Sequence, residues 1–206
     1  MTLFLAPRQA VFDTCITEKS AAMRKNPRIL NSTTIAKTRI FHVEEVELEF
    51  ENGAIVQYER LKGSAVGAVL VVPMLDNDTV LMIREYAGGV HRYELALPKG
   101  RIEYGEDMLQ AANREMMEEV GYGANNLRHI TTLTVAPGYL SHTTHVVLAE
   151  DLYERRRAGD EPEEIEVVPW QLSRINELMQ IDECTEARSI AALFMVRELL
   201  TNGGGR

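Results

Sequence analysis

Four glutamates and one arginine near the middle of the chain have the types and spacing to do chemistry. Arg114 is followed by Glu115, Glu118 and Glu119, and Glu106 lies a short distance upstream. The run Glu106 to Val120 predicts a helix that stops at Gly121, a residue suited to the left-handed position after a helix end. Taking Glu115 as zero on a wheel of roughly 100° per residue, Met108, Ala112, Met116, Leu109 and Val120 fall between about 20° and 140°. Glu119 falls at about 40°, inside that apolar stripe, with Glu115 on its border and Glu118 near −60°. Three carboxylates therefore gather on one side of two turns, and one of them is on the flank meant for burial. Like charges four residues apart oppose a helix slightly, whereas burying an unpaired carboxylate costs far more. A positive partner is required. Taken alone, the residues allow two: Arg114 or Lys99 beside a solvated acidic face, or a divalent metal ion. Carboxylate oxygens are hard ligands and no histidine or cysteine pattern suggests zinc, so the ion would be Mg²⁺ or Mn²⁺.

The elements that must position these residues can be read around them. Val46, Leu48 and Phe50 alternate with Glu45, Glu47, Glu49 and Glu51, the pattern of a half-buried strand, and Asn52-Gly53 predicts a tight hairpin with Ile55 to Leu61 returning. Such a hairpin alone is marginal, so it must pack on something, such as a second subunit. Ala65 to Leu75 is nearly all apolar, as in a strand covered on both faces. Val80 to Tyr86, Tyr93 to Leu97, Thr131 to Val135, His145 to Ala149 and Val167 to Trp170 read as further strands. Pro98-Lys99-Gly100 reads as the start of a loop. Helices over Gln171 to Gln180 and Glu186 to Leu200 close the chain. Mixed strands with few helices imply an α+β fold.

Composition narrows the function. The 206 residues carry a net charge of −9, which repels a phosphate polymer or an anionic membrane, so neither a nucleic acid nor a bilayer is expected as a partner. A small phosphorylated ligand is compatible if a cation stands between it and the protein. Cys15 and Cys184 make neither a disulfide framework nor a metal site, and a cytoplasmic location is the expectation. The five histidines are too scattered for ligand pairs, and Trp170 reads as a core anchor.

Gly100, Glu106, Arg114, Glu115, Met116, Glu118, Glu119, Gly121 and Tyr122 match, position for position, the box of the Nudix hydrolases: G, five residues, E, seven residues, R-E-U-x-E-E-x-G-U, where U is bulky and apolar. At ordinary residue usage a chance match is on the order of 10⁻⁷. Tyr122 departs mildly, since aliphatic residues are commoner there. The chain thus resembles that superfamily from about Asn26 to Leu200. Ile83-Arg84-Glu85-Tyr86, Tyr93-Glu94-Leu95, Ala136-Pro137-Gly138-Tyr139, Gly159-Asp160-Glu161-Pro162-Glu163 and Glu186-Ala187-Arg188 are similar to the group acting on ADP-linked compounds, near the ADP-ribose pyrophosphatases.

The resemblance implies an αβα sandwich with a mixed sheet, spanning residues 62–201. It also implies an N-terminal β unit (28–61) used in homodimerisation; 1–27 would be a partly mobile extension and 202–206 a loose tail. Glu115 and Glu119 would be the main Mg²⁺ or Mn²⁺ ligands, assisted by Glu118 and the Lys99 carbonyl. Arg114 would orient the carboxylates, Glu106 would brace the loop, and Gly100 and Gly121 would permit its turns. Arg84 would hold a substrate phosphate, Glu161 would be the catalytic base, and Glu163 would reach a metal when its loop closes. Tyr139 would stack on a base. Many ADP-ribose pyrophosphatases carry Glu-Leu-Pro-Ala-Gly before the box; here it is Ala96-Leu97-Pro98-Lys99-Gly100, leaving Glu94 one pleat away as the nearest substrate-binding carboxylate. The implied activity is metal-dependent hydrolysis of ADP-ribose, diadenosine triphosphate or NADH to release AMP. Alternatives are a GDP- or UDP-sugar pyrophosphatase and a non-catalytic nucleotide sensor.

Overall fold

The computed structural model describes residues 24–203. The expected extension and tail therefore fall almost wholly outside the described residues. Strands β1 (Arg28–Lys37), β2 (His42–Glu49) and β3 (Ile55–Lys62) form an antiparallel meander. Strand β1 lies within the 28–61 β unit that the resemblance implies, but it has no alternating pattern of its own, because every residue of it is exposed and no buried face imposes alternation. The hairpin between β2 and β3 also differs from expectation. Only Gly53 has positive φ, at 81°, while Gly53 N–H donates to the Phe50 carbonyl and Phe50 N–H to the Ala54 carbonyl. That is a three-residue loop closed by a glycine bulge, and Asn52 is not forced into the left-handed region. Glu44, buried on the inward side of β2, is neutralised from β3 by Arg60 at 3.0 Å and Lys62 at 2.6 Å.

The remaining chain builds three layers. Its strands are β4 (Ala68–Pro73), β5 (Thr79–Ala87), β6 (Arg92–Ala96), β7 (Lys99–Arg101), β8 (Tyr122–Thr134), β9 (Leu140–Ser141), β10 (Thr143–Glu154) and β11 (Glu166–Gln171). Its helices are α1 (Met108–Glu119), α2 (Ile175–Leu178), entered through a 3₁₀ turn at Leu172–Arg174, and α3 (Ala187–Gly203). One sheet runs β7-β4-β10-β8 with β4 and β10 parallel; a second, antiparallel, runs β11-β5-β6. The middle layer is thus two sheets side by side, joined by a bridge between Met74 and Val80. Side chains alternate between faces. Val69, Val71, Leu81 and Ile83 pack against Ala112 and Met116 of α1, while Leu70, Val72, Val80 and Met82 pack against Leu193 and Val196 of α3 and Leu178 of α2. The continuous apolar run in β4 reflects burial on both sides, and the fold is the αβα arrangement expected.

Three local differences matter for the site. Lys99–Arg101 is a strand paired with β4, not a loop. Helix α1 begins at Met108 rather than Glu106, because Asp107 caps Leu109 and Gln110 while Gln110 returns a bond to Asp107. Strands β8 and β10 run well beyond the expected segments; their outer halves are partly exposed and lack the apolar pattern that marked the inner halves. Two-residue β9 pairs in parallel with β3, so the first sheet is completed by a piece of the main domain.

Candidate active site

The site forms where α1 lies over β7 and the end of β5. In the last turns of α1, Glu119 is buried with Met116 as the wheel required, Glu115 is buried rather than at the border, and Glu118 is half-buried. Gly100 on β7 faces them so closely that a Cβ there would sit 1.9 Å from the Glu115 carboxyl carbon. Glycine is needed at this position for side-chain space, since its backbone is in the ordinary region. Gly121, by contrast, has φ of 83° and ends the helix as expected.

Arg114 supplies most of the positive charge. Its Nε and Nη2 donate to Glu106 Oε1 and Oε2, both at 3.0 Å, and Nη2 also reaches the Arg101 carbonyl at 2.9 Å. Its Nη1 donates to Glu115 at 2.8 Å and Glu118 at 3.0 Å. Glu106 thus holds Arg114, and its Oε2 also accepts from the Glu103 N–H at 3.2 Å. Glu119 is compensated less. Its Oε2 accepts one bond, from the Lys99 N–H at 2.9 Å, while the Lys99 ammonium turns to Glu85 at 3.1 Å. Burial, only partly offset by Lys99 and reinforced by the charges of Glu85 and Glu115, pushes the Glu119 carboxyl up to about 8. Burial also raises Glu115, against the pull of Arg114.

These groups line one cavity of about 880 Å³, together with Glu161 on the loop after β10. Glu85 is the member sequence reading missed. Its charge gains meaning only once β7 brings Lys99 beside β5. The other expected substrate groups lie elsewhere. Arg84, the neighbour of Glu85 on β5, points to the opposite face, where it meets Glu166 at 2.6 Å and Glu183 at 3.0 Å. It lines a smaller cavity shared with Glu85, Tyr86 and residues 161–165, so Glu85 and Glu161 border both cavities. Glu94 is buried and accepts from Thr185 and Arg92. Tyr139 is exposed over a separate cavity of about 350 Å³, with Leu48, Phe50 and Tyr58 of the N-terminal sheet. Glu163 accepts from the Tyr93 hydroxyl. Cys184 is buried, and burial raises its thiol to about 11, so it is inert.

The donor set suits a hard dication. Glu119 is a buried carboxylate short of compensating charge, three carboxylates border one cavity, and Gly100 leaves room beside Glu115. Among the described residues no three ligating side chains already converge on a shared point, because Arg114 stands on Glu115 and Glu118. An ion would therefore engage their remaining oxygens or draw them from the guanidinium. Toward Glu119, Lys99 presents its N–H.

Two outcomes follow from this geometry. Gly100→Ala should weaken Mn²⁺ binding by about 10-fold or more with a small change in melting temperature; unchanged binding by calorimetry would remove the cradle at Glu115. In EDTA, the folded protein keeps a proton on Glu119 that the unfolded chain releases near 4.5. Stability should therefore fall as pH rises from about 5 to above 8, by on the order of 4 kcal/mol. Glu119→Gln should flatten much of that slope in denaturant titrations, and a slope of equal size in the variant would show that Glu119 is not its source.

The comparisons with known proteins agree with this geometry. The NUDIX domain model matches residues 65–194, and the model for the NudE-type Nudix hydrolase N-terminal domain matches residues 27–60. The chain is 46% identical over 180 residues to the ADP compounds hydrolase NudE of Escherichia coli (strain K12), covering 87% of this chain and 96% of that protein. It is 34% identical over 173 residues to the ADP-ribose pyrophosphatase of Bacillus subtilis (strain 168), covering 80% and 91% respectively. A crystal structure of an ADP compounds hydrolase superposes with a TM-score of 0.81 at 45% identity, covering 88% of this chain and 97% of that one. With the NUDIX model spanning most of the chain and a relative 46% identical along nearly its whole length, the chain belongs to the Nudix hydrolase family.

Proposed function

We propose that this protein hydrolyses the pyrophosphate linkage of ADP-linked compounds, such as ADP-ribose, diadenosine triphosphate and NADH, and releases AMP with Mg²⁺ or Mn²⁺ as cofactor. The observation that carries the reading is the burial of Glu115 and Glu119 beside Glu118 on one cavity wall, with too little fixed positive charge around Glu119. The two relatives named for ADP compounds and ADP-ribose support the adenylate half.

Glu115, Glu118 and Glu119 would hold the ion, with the Lys99 carbonyl and, when its loop moves inward, Glu163. A dication bound there neutralises phosphate charge and acidifies a water molecule. The protein's own work is positioning. Arg114 fixes the carboxylates, Gly100 keeps Glu115 against β7, and Glu161 at the cavity rim takes the proton of the attacking water. Arg84 would receive a phosphate in its planar fork by exchanging one of its exposed carboxylate partners, Glu166 or Glu183. Tyr139 would stack on the adenine over the cavity it shares with Tyr58 and Phe50. Glu94 would brace β6 against Thr185, since binding substrate directly would forfeit its buried bonds.

The N-terminal sheet completes the proposal as a homodimer surface. Ile29, Ile35, Ile40, Phe41 and Ile55 are exposed on it, more apolar side chain than one small sheet ordinarily leaves in water. Among the described residues no helix is long and apolar enough to cross a membrane.

Incubation with Mg²⁺ and a panel of ADP-, GDP- and UDP-linked compounds should yield AMP from the ADP-linked members, and release from GDP- or UDP-sugars alone would overturn the reading. Glu119→Gln should lower turnover by at least ~100-fold while remaining folded. Sedimentation should give a dimer that Phe41→Glu splits into monomers; a wild-type monomer at micromolar concentration would refute the interface.

A further inference from the structure

The segment between β10 and β11 is held at both ends and nearly free between them. At its start the Arg157 N–H donates to the Met117 carbonyl of α1, and at its end Ile165 is buried in the core beside α1. Among the described residues, 158–164 form a single hydrogen bond to the rest of the molecule: the Tyr93 hydroxyl donates to Glu163 Oε1 at 2.7 Å. Tyr93 sits on β6 and is itself braced. Its ring meets Tyr86 edge-on at 5.8 Å between centroids, and the Tyr86 hydroxyl bonds His91 Nδ1.

Two residues before the tethered Glu163 stands Glu161, on the rim of the carboxylate cavity. Pro162 lies between them. Its ring fixes its own φ and restricts Glu161 to extended backbone, so this tripeptide moves nearly as a unit. The Glu161 carboxylate also folds back over Gly159, where a Cβ would lie 2.1 Å from Oε2. Its placement thus depends on a bare glycine on one side and a gripped glutamate on the other.

We infer that Tyr93 is a positioning residue for the reaction: by holding Glu163 through its hydroxyl before the loop moves inward, it sets the Glu161 carboxylate at the cavity through the stiff Pro162 link. The inference rests on the reading of Glu161 as the base in hydrolysis of ADP-linked compounds. Tyr93 touches no reacting atom. Removing its hydroxyl should misplace the base without altering how substrate binds.

The test uses Tyr93→Phe, which keeps the ring against Tyr86. With Mg²⁺ and ADP-ribose, kcat should fall about 10-fold while KM stays within about twofold. Glu163→Ala, which removes both the acceptor and the ligand, should lower kcat further, and adding Tyr93→Phe to it should cause no additional loss. Arg155, Arg156 and Arg157 give a second readout that needs no activity: trypsin should cut after them several-fold faster in Tyr93→Phe, followed by mass spectrometry. Wild-type kcat in Tyr93→Phe overturns the inference, whether or not proteolysis speeds up. A fall in kcat with unchanged proteolysis, or losses that multiply in the double variant, also overturns it, since Tyr93 would then act otherwise than through the loop. Wild-type protein inactive on every ADP-linked compound defeats the proposed function itself, and this inference with it.

Discussion

Burying negative charge on the core side of a helix is the constraint that organises this molecule. Glu115 and Glu119 stand where α1 needs apolar contact, and the surroundings are arranged to tolerate them. Arg114 is held in turn by Glu106 and the Arg101 carbonyl, so a cation that could swing into solvent is fixed against three carboxylates. Truncating that arginine would leave several buried charges unpaired, the costly way to break such a network. Glu119 gets only a backbone N–H, because the Lys99 ammonium is committed to Glu85. The neutralisation is therefore incomplete where an ion would bind, and the same deficit that weakens the metal-free fold gives a dication something to gain.

How much of this could be read from sequence follows from where the information resides. The box residues were legible because their roles depend on spacing along one helix and one adjacent turn. Periodicity placed Glu119 inward, as found, whereas Glu118 is half-buried on the cavity wall. The cradle at Gly100 was legible only as a glycine; that it makes room for Glu115 depends on a strand pairing, β7 on β4, hidden in three residues. Glu85 escaped notice because charge on a strand end carries no signal until its neighbour across the sheet is known. Strand β1 was legible only through the family resemblance, because it buries nothing and so shows no alternation.

The substrate groups show the limit most clearly. Arg84 and Glu85 are adjacent in sequence, yet only Glu85 reaches the carboxylate cavity, while Arg84 is confined to the smaller cavity that Glu85 and Glu161 also border. Tyr139 belongs spatially to the N-terminal sheet, and Glu94 is occupied by Thr185. A motif gives residue type and order, whereas assembly into one site depends on which face of which sheet each strand presents.

The shortest strand has a consequence of its own. Leu140 and Ser141 join the meander through Leu61 and Lys62, and the Ser141 hydroxyl accepts from the Gly63 N–H. The boundary between the two family segments is therefore a seam sewn from both sides, not a hinge. Excising the N-terminal unit to obtain a minimal catalytic fragment would strip β9 of its pairing partner and bare an unprotected strand rim. The smaller product would be stickier than its parent, and the catalytic domain is better treated as indivisible from the sheet it helps to finish.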